Sequence, residues 1–268
     1  MEPFERVARA AVAAASEQLR AAARQSRRIE YKGPVDLVTE TDRAVEALVV
    51  ERLRRAFPDH LIVAEEAASA GRIERPAAEQ YAWYLDPLDG TVNFAHGFPH
   101  FAVSLALARG TELLFGIVHD PMRDETWVAS RGGGATLNGA QIRVSATDQL
   151  DHALLATGFP YDRRTRLDFY VGFLTDFIGR ARDVRRAGSA ALDLCYVACG
   201  RFDGFWEWKL KPWDTAAAAL IVREAGGTIT DFRGAVFDLY AEQTLASNGR
   251  LHAEMVQVLT ARLGGGGG

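Results

Sequence analysis

The sequence predicts a mixed protein of the α+β / α/β kind: two helices first, then an antiparallel meander, then alternating strands and helices. Three observations carry this. Residues 3–25 are rich in Ala, Leu, Arg and Glu. Short apolar runs bounded by turn residues crowd the stretch from Tyr81 to Val144. Beyond about residue 150, apolar segments of strand and helix length alternate, as in layered α/β folds.

The elements follow in order. The first helix is broken by Lys32-Gly33-Pro34. A second starts after Thr39-Glu40-Thr41-Asp42, with Val45, Leu48, Val49 and Leu53 on one face, and Phe57-Pro58-Asp59 closes it. Leu61-Ile62-Val63 is a short strand running into Glu65-Glu66, and residues 67–79 read as a flexible loop. Strands are expected at Tyr81 to Leu85, Phe101 to Ala108, Leu113 to His119 and Glu125 to Ser130. Asn138-Gly139 signals a hairpin between Ala135-Thr136-Leu137 and Ile142-Arg143-Val144. The second half then reads as strand Ala153 to Thr157, helix 165–180, helix Ala190 to Cys199, strand Gly204 to Trp208, helix Thr215 to Ala225 and strand Thr228 to Asp231. A composition shift near 145–152 divides residues 1–148 from 149–263, and Gly264–Gly268 reads as a disordered tail.

Composition narrows the function classes. Of 268 residues, 48% are hydrophobic and 25% charged, ordinary values for a globular protein. A formal net charge of -4 provides no field to gather nucleic acid or an anionic membrane, so an anionic substrate must be drawn in locally. Neither a secretory signal nor a membrane span is legible, and Cys195 and Cys199 read as buried, reduced thiols. The expectation is a cytoplasmic protein.

The chemistry concentrates in Trp83-Tyr84-Leu85-Asp86-Pro87-Leu88-Asp89-Gly90-Thr91-Val92-Asn93-Phe94. An apolar strand delivers Asp86 and Asp89 into one small volume, where two carboxylates repel unless a cation lies between them. Hard oxygen donors of this kind suit Mg²⁺. The same fragment also reads as a plain turn, since Asp, Pro and Gly are turn residues. Glu65 ends another apolar strand, while Asp42 and Asp214 stand at helix starts. Singly these are a solvated loop charge and two helix caps. Together with the Gly90-Thr91 turn, whose backbone N–H groups can meet a phosphate, they suggest a metal and phosphate site.

These segments resemble the ordered motifs of the inositol monophosphatase family: Asp36-Leu37-Val38-Thr39-Glu40-Thr41-Asp42, Glu65-Glu66, Asp86 to Phe94, Gly188-Ser189-Ala190-Ala191, Trp213-Asp214 and Glu224-Ala225-Gly226-Gly227. The resemblance runs from about Val7 to Asn248. It implies a layered α-β-α-β-α sandwich with two sheets and three helical layers, a homodimer, and lithium-sensitive, magnesium-dependent hydrolysis of a small phosphate monoester. By position it makes Glu65, Asp86, Asp89 and Asp214, with the Leu88 carbonyl, the ligands of two or three Mg²⁺ ions. Asp42 and Thr91 would orient the attacking water, and Glu65 would help hold it. The substrate-binding set is Asp89, Gly90, Thr91, Gly188, Ser189, Ala190, Glu207 and Asp214. Strand alternation places Glu207 opposite Trp206 and Trp208, although a solvent-facing Glu would sit there equally well.

Gly90-Thr91-Val92-Asn93-Phe94 and Phe98-Pro99-His100-Phe101 resemble the inositol type, which makes inositol monophosphate the first substrate to expect. Histidinol-phosphate, fructose-bisphosphate and NADP phosphatases share the metal motifs, with selectivity expected in 67–79 and 158–168. The Asp-to-Asp spacing argues against a haloacid dehalogenase-type phosphatase. A regulatory binding protein that retains the fold is the alternative of a different class. His96, His100 and the arginines at 163, 164, 166, 180, 182, 185 and 186 read as non-ligand and solvated positions, the last four with a possible substrate or partner role.

Overall fold

The computed structural model describes residues 1–24, 29–31, 37–68 and 73–264. The first segment is α1 (Glu2–Ala23), followed by an antiparallel ribbon of β1 (Ile29–Tyr31) and β2 (Leu37–Thr39), and by α2 (Glu40–Ala56). Next come β3 (Leu61–Ala64), the four-residue α3 (Glu65–Ala68), β4 (Tyr81–Asp89) and the short α4 (Thr91–Ala95). The meander is β5 (Ala102–Arg109), β6 (Glu112–Asp120), β7 (Glu125–Ser130), β8 (Ala135–Leu137) and β9 (Ala140–Gln141). The second half holds β10 (Leu154–Thr157), α5 (Leu167–Ile178), β11 (Asp183–Arg185), α6 (Ala190–Ala198), β12 (Gly204–Trp208), α7 (Pro212–Glu224), β13 (Thr228–Thr230), β14 (Gln243–Ser247) and α8 (His252–Gly264).

Two sheets result. One has seven strands in the order β3-β4-β5-β6-β7-β8-β9, antiparallel except for the parallel β3–β4 pair. The other has five in the order β11-β10-β12-β14-β13, with β10 parallel to both its neighbours.

Strand alternation dictates how helices cover them. From β4, Trp83 and Leu85 point into a core with Ala8, Val12, Leu19, Val45, Val49 and Leu53 of α1 and α2. Tyr84 points the other way, into a core shared with Ala216–Ala219 of α7, Leu192 and Leu194 of α6, and Phe205 and Ala246 of the second sheet. The far face of that sheet buries Leu155, Trp206 and Leu245 under Phe173 and Phe177 of α5 and Met255 and Leu259 of α8. The order is helix, sheet, helix, sheet, helix, as expected. Close approach of α7 to the first sheet depends on Gly116, where a Cβ would meet the Ala217 carbonyl at 2.6 Å. Among the described residues no helix is long and apolar enough to cross a membrane.

Several elements depart from expectation. The Asn138-Gly139 turn forms, with φ of 50° and 81°, but its return strand is Ala140–Gln141 and not Ile142 to Val144. Strand β11, strand β14 and helix α8 lie outside the elements expected from the sequence. Cys199 is only partly buried, unlike Cys195. Gly264 closes α8, while residues 265–268 lie outside the described set, as do Asp36 and residues 69–72 of the 67–79 loop.

Candidate metal and phosphate site

The site gathers at the C-terminal end of β4. The Asp86-Pro87-Leu88-Asp89 segment is not the turn that composition allowed. It stays in the strand, with the pairing to β5 slipping between Asp86 and Asp89. The cause is local: Asp86 Oδ1 accepts the Leu88 N–H at 2.9 Å, and Pro87 has no N–H to give the ladder. The bulge lets both acids face the same region.

Gly90 follows in the left-handed region at φ 95° and opens α4. A Cβ there would lie 3.0 Å from the His100 carbonyl and 3.2 Å from that of Gly188, so the turn has room for glycine alone. Thr91 is thereby delivered to α2. Its Oγ1 donates to Asp42 Oδ1 at 3.0 Å and lies 3.0 Å from the Leu88 carbonyl oxygen. Asp42 is fully buried in the first turn of α2. It is the third residue of that helix, and its partner is Thr91 from another element.

Asp214 is the third residue of α7 and also serves as its cap, because Oδ2 accepts the Lys211 N–H at 2.7 Å. The cap reading and the site reading therefore coincide. The Trp213 carbonyl accepts Ser104 Oγ at 3.3 Å, and Ser104 is the β5 neighbour of Asp86. Asp89 Oδ2 accepts both the Ser189 hydroxyl and the Ala191 N–H, the latter at 2.8 Å, and so ties the start of α6 to the site. Glu65, at the junction of β3 and α3, is half-buried and hydrogen-bonded to Asp86. It is no solvated loop charge.

Charge decides what this arrangement can hold. Burial pushes the Asp86 carboxyl well above the usual carboxylate range, and repulsion from Glu65, Asp89 and Asp214 adds to it. Burial raises Asp89 to about 6 against the pull of its bonds to Ser189, Ala191 and Ala190. Burial likewise raises Asp214 to about 7, the Lys211 N–H pulling down and Asp89 pushing up. Four carboxylates thus stand in electrostatic contact, and burial raises three of them. Oxygen donors in excess, on a floor sealed by Asp42 and Asp86 with a rim opened at Asp89 and Asp214, fit a small hard dication. Among the described residues no three such side chains are already drawn round one point.

Glu207 lies within electrostatic reach of Asp89 and Asp214. Trp206 and Trp208 pack toward α5 and α8, and Glu207 points to the opposite face, as alternation required. Burial raises its carboxyl to about 8, Arg186 pulling back and Asp214 and Asp89 pushing further. Gly158 packs directly on its carboxyl group.

The comparisons with known proteins show the family and the fold. The sequence profile of the inositol monophosphatase family matches residues 1–263. The chain belongs to the inositol monophosphatase family. It is 43% identical over 265 residues to a putative Nus factor SuhB of Neisseria meningitidis serogroup B, spanning 98% of this chain and 100% of that protein. It is also 43% identical over 256 residues to an inositol-1-monophosphatase of Synechocystis, spanning 95% and 88%. The solved inositol monophosphatase of Anabaena superposes with a TM-score of 0.86 at 39% identity, over 97% of this chain and 96% of that one. The Thermotoga maritima IMPase gives 0.87 at 37%, over 98% and 99%.

Three side chains of this inositol monophosphatase family member escaped the sequence reading. Asn93 was legible only as part of a motif. Its Nδ2 donates to the His100 carbonyl at 2.8 Å and the Ala187 carbonyl at 2.9 Å, pinning the loop that carries Gly188 and Ser189. Arg186, read among solvated arginines, turns toward Glu207 and Asp193. Asp193, on the buried face of α6, has its carboxyl raised by burial and has no hydrogen-bond partner for Oδ1. Nothing in a helix-period pattern distinguishes such an acid from a surface one.

Proposed function

We propose that this protein hydrolyses a small sugar or polyol monophosphate with the help of Mg²⁺, inositol monophosphate being the leading substrate. The observation that carries the proposal is the gathering of Glu65, Asp89 and Asp214 about the buried Asp86, beside the buried Asp42–Thr91 pair. The four carboxylates and the Leu88 carbonyl would hold two or three Mg²⁺ ions. Bound there, the ions supply charge neutralisation for the phosphate and leaving oxygen and make a nearby water more acidic.

The remaining work falls to the protein's own groups. The Thr91 proton already faces two acceptors, so its oxygen lone pairs are directed away from them and can accept from a water. Asp42 then takes the proton relayed through Thr91, while Glu65 holds the water from the other side. Attack forms the new P–O bond as the ester P–O bond breaks, and the leaving oxygen takes a proton from solvent at the open rim. Backbone N–H groups at Gly90 and Thr91, at the start of α4, would meet phosphate oxygens, since first-turn N–H groups have no acceptor in their own helix. Asp89, Glu207 and the Gly188–Ala190 backbone would position the polyol, with Asp214 at the phosphate end. With its carboxyl near 8, Glu207 can both donate to and accept from adjacent hydroxyls. A homodimer sensitive to lithium belongs to the same proposal, on the family resemblance alone.

The test is phosphate release from inositol, sugar, histidinol and nucleotide phosphates, with and without Mg²⁺. Magnesium-dependent release that prefers inositol monophosphates supports the whole reading, and preference for another panel member changes only the substrate. No release from any of them rejects it. A trapped phosphoryl-enzyme would reject the direct attack of water.

A second reading has its own observation, since several close relatives carry the name Nus factor SuhB. A binding role would be separable from turnover. An Asp89→Asn protein that is inactive but restores the cellular phenotype would favour it.

A further inference from the structure

Helix α2 carries a second acid one turn after Asp42. Glu46 is 8% exposed and lies on the buried face with Asp42, Val45 and Val49, because residues three and four apart share a side. Its two oxygens are put to separate use. Oε2 accepts the Glu66 N–H at 2.7 Å and Oε1 accepts the Ala67 N–H at 3.0 Å. Both amides belong to α3, whose first residue is Glu65. First-turn amides have no acceptor in their own helix, and a four-residue helix lacks the length to hold itself. Glu46 supplies from outside the hydrogen bonds that α3 cannot make.

We propose that Glu46 is a positioning residue for the metal site: by clamping the two amides after Glu65 it holds that carboxylate at a set distance from the Asp42–Thr91 pair. The inference rests on the reading of Glu65 as a metal ligand. One stiff helix then presents both sides of the water site, Asp42 touching Thr91 directly and Glu46 reaching Glu65 through α3. Four residues of helix separate them by about 6 Å along the axis. The side chain has to be a carboxylate of this length. Glutamine offers one acceptor oxygen and an NH₂ that would face an N–H, leaving one amide unsatisfied. Aspartate keeps two acceptors but falls short by one methylene.

The test compares wild type with Glu46→Gln, Glu46→Asp and Glu65→Gln. It uses calorimetric titration of Mg²⁺ into substrate-free protein, amide hydrogen exchange at residues 66 and 67, and steady-state kinetics. Glu46→Gln is expected to exchange faster at the amide left facing the NH₂ and to bind Mg²⁺ about 10-fold more weakly, the usual cost of losing a group that orients a ligand. Substrate KM at saturating Mg²⁺ should stay unchanged, because Glu207 and the Gly188–Ala190 backbone are untouched. Exchange that accelerates while Mg²⁺ affinity stays at wild type makes Glu46 a structural cap only and overturns the inference. Unchanged Mg²⁺ affinity in Glu65→Gln instead removes the underlying ligand assignment. If Glu46→Gln does not fold, Glu46→Asp carries the same comparison.

Discussion

A single methyl group should separate the substrate end of the site from its metal end. In Gly158→Ala the new Cβ would overlap the Glu207 carboxyl carbon and both its oxygens. The Gly158 backbone is outside the left-handed region, so alanine is tolerated there without strain. Carbon and oxygen atoms settle no closer than about 3.5 Å, so the carboxyl must swing away by more than about 1 Å. The far end of a Glu side chain can make that move at little expense in stability, but it then misses the substrate hydroxyls. Losing a hydrogen bond to a charged or strongly polar group costs about 1.5–3 kcal/mol, equivalent to roughly 10- to 100-fold in kcat/KM. The assay compares inositol monophosphate with p-nitrophenyl phosphate, which has no hydroxyl for Glu207 to meet, in Gly158→Ala and Glu207→Ala. Both variants should lose activity on the first substrate and keep it on the second, with Mg²⁺ dependence unaltered. A Gly158→Ala enzyme that matches wild type on both, or fails equally on both, refutes the role of Glu207.

Three further outcomes are expected. Thr91→Ala should lower kcat by about 10²- to 10⁴-fold, the range for losing a positioned proton acceptor, while Thr91→Ser retains most activity; a small drop in the alanine variant would remove Thr91 from the proton path. Mg²⁺ should raise the melting temperature by relieving repulsion among Glu65, Asp86, Asp89 and Asp214. At 100 times the dissociation constant the gain is about 2.7 kcal/mol, or about 5–10 °C for a chain of this size, and chelation should reverse it; scanning calorimetry that shows no shift counts against the cluster as a cation site. Burial lowers His100 to about 4, below its value near 6.5 in the unfolded chain. Its contribution is therefore complete above about pH 6.5 and is lost as pH falls through about 4, up to about 3 kcal/mol in total. Urea unfolding of wild type and His100→Gln across that range isolates the histidine, since the raised carboxylates act in the opposite direction and cancel in the difference. A pH-independent difference would contradict it.

Local features were legible where local forces decide them. Asn138-Gly139 was read as a hairpin because both positions need positive φ, and it is one. The Glu207 face followed from alternation along Gly204–Trp208. The two-residue return strand after Gly139 was misplaced and the three-residue β11 went unread, because elements this short are regular only through what they pack against. The Asp86 to Asp89 segment misled for a related reason: turn residues within a strand become a bulge once β5 offers a partner.

The candidates for the site lay in the sequence by itself. Asp42, Glu65, Asp86, Asp89, Thr91 and Asp214 stood out by motif and element ends, and Glu207 by the family resemblance, since residue type and spacing along the chain determine which donors exist. What they do to one another was decided only by tertiary structure. The Thr91–Asp42 bond spans 49 positions and the Asp89–Ser189 bond 100. The repulsion of Asp86 by its neighbouring carboxylates, the turn of Arg186 toward Glu207 and the grip of Glu46 on α3 depend likewise on which surfaces are buried together. Desolvation and Coulomb energy act through space, and distance through space is not written in the order of residues along a chain.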